Sequence, residues 1–176
     1  MTDADTTPEF SRPVLLARIG HEPVHRDIAA DAAEREALAR RFGLLALDRL
    51  SATVELARRG SDMILLRAAF EAAFVQECVV TLDPVPGTAA EEFELLYGPP
   101  EIEESAAGTV TDAVAFEPLF GDAIDIGEAV GQEFSLALPP FPRSPGADAE
   151  TAASDDDAGP FAALSQLLRK GGAERE

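Results

Sequence analysis

The sequence predicts an α+β fold: an antiparallel, curled, barrel-like β-sheet flanked by two helices, with a flexible acidic C-terminal tail ending in a short helix. Three observations predict it. Two long segments with period-two apolar alternation are joined by a glycine-containing turn, which reads as a β-hairpin with one buried face. Two shorter segments place apolar residues at helical spacing behind an acidic N-cap. Beyond Pro142 the chain turns to Ala, Asp, Pro and Gly, with too little apolar surface to fold alone.

Residues 1–12 read as a loose leader. Val14-Leu15-Leu16-Ala17-Arg18-Ile19, closed by Gly20, reads as a short buried strand. Asp31 is placed to cap a helix, with Glu34 three residues on completing a capping box. Ala37, Leu38, Arg41 and Phe42 follow at helical spacing and Gly43 supplies the C-cap, so a helix is expected over 31–42. Leu50, Ala52, Val54 and Leu56 then alternate with Ser51, Thr53 and Glu55. After Gly60-Ser61-Asp62, the set Ile64, Leu66, Ala68, Phe70, Ala72 and Phe74 alternates with Arg67 and Glu71. The alanines of 66–75 also suit a helix, but a helix would scatter Phe70 and Phe74 away from Ile64, which favours strand.

Pro84-Val85-Pro86-Gly87 predicts a turn or edge crossing, since proline cannot donate to a ladder. Alternation resumes over Glu92 to Tyr97 and stops at Pro99-Pro100, giving another antiparallel strand. The acidic stretch 101–123 reads as a surface loop. Asp125 opens a second helix, with Glu128 as capping-box partner, a stripe of Ile126, Ala129, Val130 and Phe134 broken by Glu133, and Pro139-Pro140 as terminator. These elements define one domain over 13–143, an acidic flexible linker over 144–158 and a docking segment over 159–176. In that last segment Phe161, Leu164 and Leu168 share one face of a helix too short to be stable alone. It therefore docks on its own domain or on a partner.

Composition narrows the function. A chain of 176 residues, 46% of them hydrophobic, is long enough to bury about 70% of its unfolded surface in one domain. Formal charge is −19 and unevenly placed. Residues 1–70 hold ten Arg against eleven acids, a net of −1, whereas 71–176 hold four basic against 22 acidic groups, a net of −18. Such a field repels phosphates and attracts a basic protein, besides keeping the chain soluble. No stretch approaches the roughly 20 apolar residues a membrane span needs, so no membrane partner is expected. The acidic N-terminus lacks a basic-then-apolar leader, which gives a cytoplasmic location as the expectation.

Catalytic signatures are sparse, and neither cofactor nor small-molecule substrate is expected. His21 and His25 have i,i+4 spacing, but Pro23 between them argues against a helix, leaving two loop histidines. Cys78 alone excludes an internal disulfide and a multi-cysteine zinc site. With no neighbouring His or cationic cluster, it reads as a buried thiol. The serines fit no nucleophile elbow, and no phosphate-cradling glycine loop occurs. Glu91-Glu92 and Glu103-Glu104 could coordinate a cation in a divalent-cation-dependent hydrolytic or RNA-processing enzyme, but adjacent exposed carboxylates are ordinarily just solvated. Arg35, Arg40, Arg41, Arg58 and Arg59 would suit phosphate through their planar forks, although Glu34, Glu36 and Glu55 interleave with them.

Three segments, in order and spacing, resemble the YceD family, the large ribosomal RNA subunit accumulation proteins. They are Glu77 to Val85, containing Cys78 and Pro84; Ile124 to Arg143, a capped helix followed by Leu136-Ala137-Leu138-Pro139; and Gly159-Pro160-Phe161-Ala162-Ala163-Leu164. The helix Glu34 to Leu44 also fits the family's first helix. Many members carry a Cys-x-x-Cys in the first segment, with a His and a further Cys after the second. Here Cys78 matches the first cysteine, Thr81 stands at the second, and Ser144 lies near the expected His. One thiolate cannot hold structural zinc, so packing and hydrogen bonds must close that corner.

The resemblance implies a role in large-subunit rRNA accumulation and large ribosomal subunit biogenesis, with no catalytic residues to transfer. The expected mechanism is binding without covalent chemistry. The expected partners are a basic ribosomal protein or assembly factor and large-subunit rRNA, met through Phe161, Leu164, Leu168 and the five arginines.

Overall fold

The computed structural model describes residues 8–60, 62–100 and 114–147. Segment 101–113, the linker beyond Ala147 and the docking segment with Phe161, Leu164 and Leu168 lie outside them.

Strand β1 is Pro13–Leu15, followed by a 3-10 turn at Leu16–Arg18 and β2 at Val24–Ala29. Helix α1, Ala32–Phe42, leads into β3, Ala46–Arg59, and β4, Met63–Glu77. Strand β5 is Pro84–Gly98, β6 Ala115–Pro118, β7 Ala123–Asp125, and helix α2 Ile126–Ala137. The main sheet has the order β2-β3-β4-β5-β6, and β1 pairs with β7 in a separate two-stranded ladder. The α+β expectation and the central hairpin hold, with strands longer than the alternation alone marks.

Local chemistry explains the helix ends. Asp31 accepts the Glu34 N–H and the Glu34 carboxylate accepts the Asp31 N–H, the reciprocal capping box expected from sequence. Gly43 stops α1 at φ +65°, a left-handed conformation that costs glycine nothing. Asp125 caps α2 by accepting from the N–H groups of Gly127 and Glu128. It also accepts from the Arg12 N–H at 2.7 Å and the Ser11 hydroxyl, tying the N-terminal segment to the helix start. The Glu128 carboxylate does not close a capping box there; it turns instead to Arg41 and Gln132.

The helices cover one face of the sheet; on the other face Leu65 is also buried. Leu50, Val54, Leu56, Leu66, Phe70 and Phe74 point to α1 and α2, which both lie on the covered side. Phe134 of α2 sits at the centre, with ring centroids 5.8 Å from Phe42, 6.2 Å from Phe70 and 5.7 Å from Phe74. These edge-on arrangements suit the ring quadrupoles and lock helix layer to sheet.

Several expectations are corrected. The sheet is open rather than barrel-like: β2 and β6 end it without meeting, because the helices already cover the apolar face. It is mixed, since β6 pairs with β5 in parallel, and β6 lies in a stretch read as loop. Pro84 and Pro86 do not break the ladder; they begin β5, opposite Glu77 and Val75. Two residues apart, they withhold their missing donors along the same side of the strand, and along Pro84–Glu94 only β4 pairs with it among the described residues. The apolar run at 14–19 forms a strand only to Leu15 before tightening into the 3-10 turn. Residues 8–12 are no loose leader, because Phe10 is buried against α2.

Candidate functional site

The face of the sheet turned away from α1 and α2 is uncovered among the described residues. Antiparallel register sets its side chains in rows. His25, Glu55, Arg67 and Glu94 lie abreast on β2, β3, β4 and β5, alternating in sign. His25 Nδ1 is 3.6 Å from Glu55, and Arg67 Nε donates to Glu94. The next row is Asp27, Thr53, Ala69 and Glu92, with the Thr53 hydroxyl donating to Asp27 at 3.0 Å. Beyond it, Glu71 pairs with Arg49 at 3.2 Å. A trough of about 650 Å³ overlies the first two rows, and an adjoining one of about 420 Å³ continues over Asp27, Ser51 and Glu71. Toward the hairpin turn, Leu65 and Leu96 sit opposite each other, and with Met63 and Val114 they line an apolar hollow of about 310 Å³.

The arginines singled out from sequence are not gathered into one patch. Arg35 donates to the Ala30 carbonyl and Arg40 pairs with Glu36 one turn away. Arg41 binds Glu9 and Glu128. Arg58 lies at the far end of β3, donating to the carbonyls of Ile19 and Leu16, and Arg59 lines the apolar hollow. Sequence reading missed the face formed by Thr53, Glu55, Arg67, Glu92 and Glu94. The signal was present: the polar half of each period-two alternation is itself a surface. His25, read as a loop residue, lies on β2 opposite Glu55.

Cys78, Thr81 and Ser144 do converge, at the corner where β4 ends. Cys78 Sγ accepts from the Thr81 N–H at 3.4 Å, the Ser144 N–H at 3.3 Å and the Ser144 hydroxyl at 3.4 Å. The two hydroxyl oxygens lie 3.1 Å apart, and Val79 N–H reaches the Pro142 carbonyl at 2.9 Å. The thiol is fully buried as expected. Its pKa is not left unperturbed: hydrogen bonds from the Ser144 hydroxyl, then Thr81, then both backbone N–H groups lower it to about 6 against desolvation. One sulfur and two hydroxyls do not make a zinc donor set, so this corner is closed by hydrogen bonds. Among the described residues no three His, Cys, Asp or Glu side chains are grouped as a metal ion would require. No described helix is long and apolar enough to cross a membrane.

On the side of α2, burial first and then the Glu117 and Glu91 carboxylates raise the Glu133 pKa above the ordinary carboxylate value. Burial likewise raises that of the Tyr97 phenol, with Glu117, Glu133 and Asp125 adding to it.

The described residues form a two-layer α+β domain with one open, charged sheet face. The profile of the large ribosomal RNA subunit accumulation protein YceD matches residues 66–168, more than half of the chain, and the chain belongs to that family. The match takes in β4, β5, the Cys78 corner, α2 and the segment through Leu168, while α1 and β1 to β3 fall before it. No curated protein and no solved structure matches the chain. Membership ties the chain to the accumulation of large-subunit rRNA.

Proposed function

We propose that the chain is a non-enzymatic factor for large-subunit rRNA accumulation and large ribosomal subunit biogenesis, acting by binding a cationic ribosomal protein or assembly partner. One observation carries the binding mechanism: the face of the sheet turned away from α1 and α2 is uncovered among the described residues and is lined with Asp27, Glu55, Glu71, Glu92 and Glu94. Family membership supplies the process, and the net charge of −19 supplies the sign of the partner. The divalent-cation enzyme has no comparable support, since the acids of this face are spread along rows about two residues apart. Phe161, Leu164 and Leu168 act as a second contact, to a partner's apolar surface. Arg35 and Arg40 on α1, and Arg58 at the end of β3, act as two separate points of approach to rRNA; Arg41 is taken up by Glu9 and Glu128, and Arg59 lines the hollow on the open face.

The test is capture of partners by the tagged full-length chain from a bacterial lysate, with and without nuclease, across a salt series. Basic large-subunit proteins retained after nuclease and released as salt rises are the expected result. Capture that vanishes with nuclease would replace the protein partner with rRNA. Removing residues 159–176 is expected to reduce retention; unchanged retention and melting temperature would leave Phe161, Leu164 and Leu168 without a role.

A further inference from the structure

We propose that the uncovered sheet face is a docking bed for an extended, arginine- and lysine-rich polypeptide segment that carries one apolar anchor. The inference rests on the assembly-factor reading for its biological setting, but on geometry for its content. Five acids, Asp27, Glu55, Glu71, Glu92 and Glu94, share this face with Arg49, Arg59, Arg67 and His25, so the acids outnumber the arginines by two. Arg67 is held by Glu94, with Glu55 at 4.0 Å, and Arg49 by Glu71, while among the described residues Glu92 has no ion pair and Asp27 holds only a hydroxyl. Negative charge therefore remains after internal pairing. It would repel the phosphates of RNA or of an anionic membrane, and it would repel the same face of a second copy. A cationic protein segment is the complementary occupant.

The shape selects an extended segment. Ala69, Ser51 and Thr53 keep the floor low, so a backbone can approach along the trough. Same-face rows repeat every two residues, about 6.8 Å, which is also the side-chain repeat of an extended peptide. An occupant with cations at alternate positions thus meets a carboxylate row with each one. The apolar hollow at Leu65, Met63 and Leu96 lies one row before His25–Glu55–Arg67–Glu94, so the anchor sits two residues from the first cation. In this bed, Glu92 and the Leu96 side chain set the register of the segment.

The probe is a fluorescent synthetic peptide with one Phe followed at alternate positions by three Arg, with Ser between, titrated into the full-length protein at two salt concentrations. Its control has the same composition with the three Arg contiguous and Phe at the far end. The alternating peptide is expected to bind about tenfold more tightly than the control. Glu92→Lys and Leu96→Asp are expected to weaken it by about tenfold, and Glu22→Lys, the same charge change on an exposed residue off this face, by less than about twofold. Circular dichroism and melting temperature confirm that each variant folds. A Leu96→Ala variant keeps the anchor testable if Leu96→Asp does not fold. Equal binding of both peptides, equal losses in Glu92→Lys and Glu22→Lys, or tight binding of a large-subunit rRNA fragment at this face would each overturn the bed. So would peptide binding seen only after residues 148–176 are removed, which would make the chain's own tail the occupant. If Glu92→Lys abolishes peptide binding but lysate capture is unchanged, the bed fails as the functional surface while the assembly-factor role stands. Peptide binding without any ribosomal protein in the capture separates the two in the other direction.

Discussion

Arg41 on α1 and Glu128 on α2 form a two-point ion pair, Nη1 to Oε2 at 2.9 Å and Nη2 to Oε1 at 2.7 Å. Glu9 adds a third contact to the same guanidinium at 2.9 Å. The pair joins two helices 87 positions apart in sequence, next to the Phe42–Phe134 ring contact. It also explains why Glu128 leaves the N-cap of its own helix and why Arg41 is no free cation.

Both groups of this pair are partly exposed, so its contribution is modest. A double-mutant cycle with Arg41→Met and Glu128→Gln is expected to give a coupling of about 1 kcal/mol, read by urea unfolding. The coupling should shrink in high salt. A coupling near zero at low salt would mean that packing alone holds the helices.

Phe134 bears far more. Phe134→Ala empties the space between Phe42, Phe70 and Phe74 and is expected to cost about 3–5 kcal/mol. Phe134→Leu should lose roughly a third of that. Denaturant midpoints with an unchanged m-value would locate the loss in the native core.

Two glycines of α2 should respond in opposite directions. A Cβ on Gly127 would lie inside the contact distance of the Phe10 carbonyl oxygen and 3.0 Å from its carbon, both backbone atoms. Gly127→Ala is therefore expected to destabilise by about 1–3 kcal/mol despite better helix propensity. On Gly131 a Cβ would meet only Leu38 Cδ2 at 3.8 Å, so Gly131→Ala is expected to stabilise by about 0.5–1 kcal/mol. Thermal melting of the two variants decides it.

Cys78 predicts a pH-dependent increment. Its folded-state pKa of about 6 lies below the ordinary value of 9.0, so between these the unfolded chain binds the extra proton. Stability conferred by the thiolate should rise from pH 6 to 9, be fully present above 9, and be lost as pH falls through 6. The difference in unfolding free energy between wild type and Cys78→Ala should grow over that window. Ser144→Ala should flatten the growth, since its hydroxyl is the largest stabiliser of the thiolate.

Glu133 carries the opposite sign. Its raised pKa means that the folded state holds its proton better than the unfolded chain, so ionisation costs stability as pH rises above the ordinary value of 4.5. Glu133→Gln is expected to melt higher than wild type at neutral pH, with the gap closing toward pH 4. A lower melting temperature at neutral pH would show that the carboxylate is stabilising.

Both helices and the long hairpin are legible in the sequence because their determinants are local. Asp31 with Glu34, Gly43, Asp125 and the alternation around Phe70 each act within a few residues. Long-range choices are not legible in this way. Nothing near Glu128 reveals that Arg41 competes for its carboxylate, and nothing in the polar stretch around Phe10 reveals that Gly127 makes room for it. Strand β6 needs β5 as a template, and its parallel register has no local signature. The docking bed lay between these extremes: each polar position was visible, but only the pairing of His25 with Glu55, Arg67 and Glu94 assembles them into a row.

Pro84 and Pro86 have a consequence for self-association. A strand edge left without a neighbour ordinarily invites an identical sheet to continue it, the first step toward fibrils. Here the stretch Pro84–Glu94 of β5, which pairs only with β4 among the described residues, begins with two prolines that cannot donate and ends with Glu91, Glu92 and Glu94. A stacking neighbour would forfeit hydrogen bonds at one end and meet like charge at the other, so this border favours a discrete, unpolymerised molecule at high concentration.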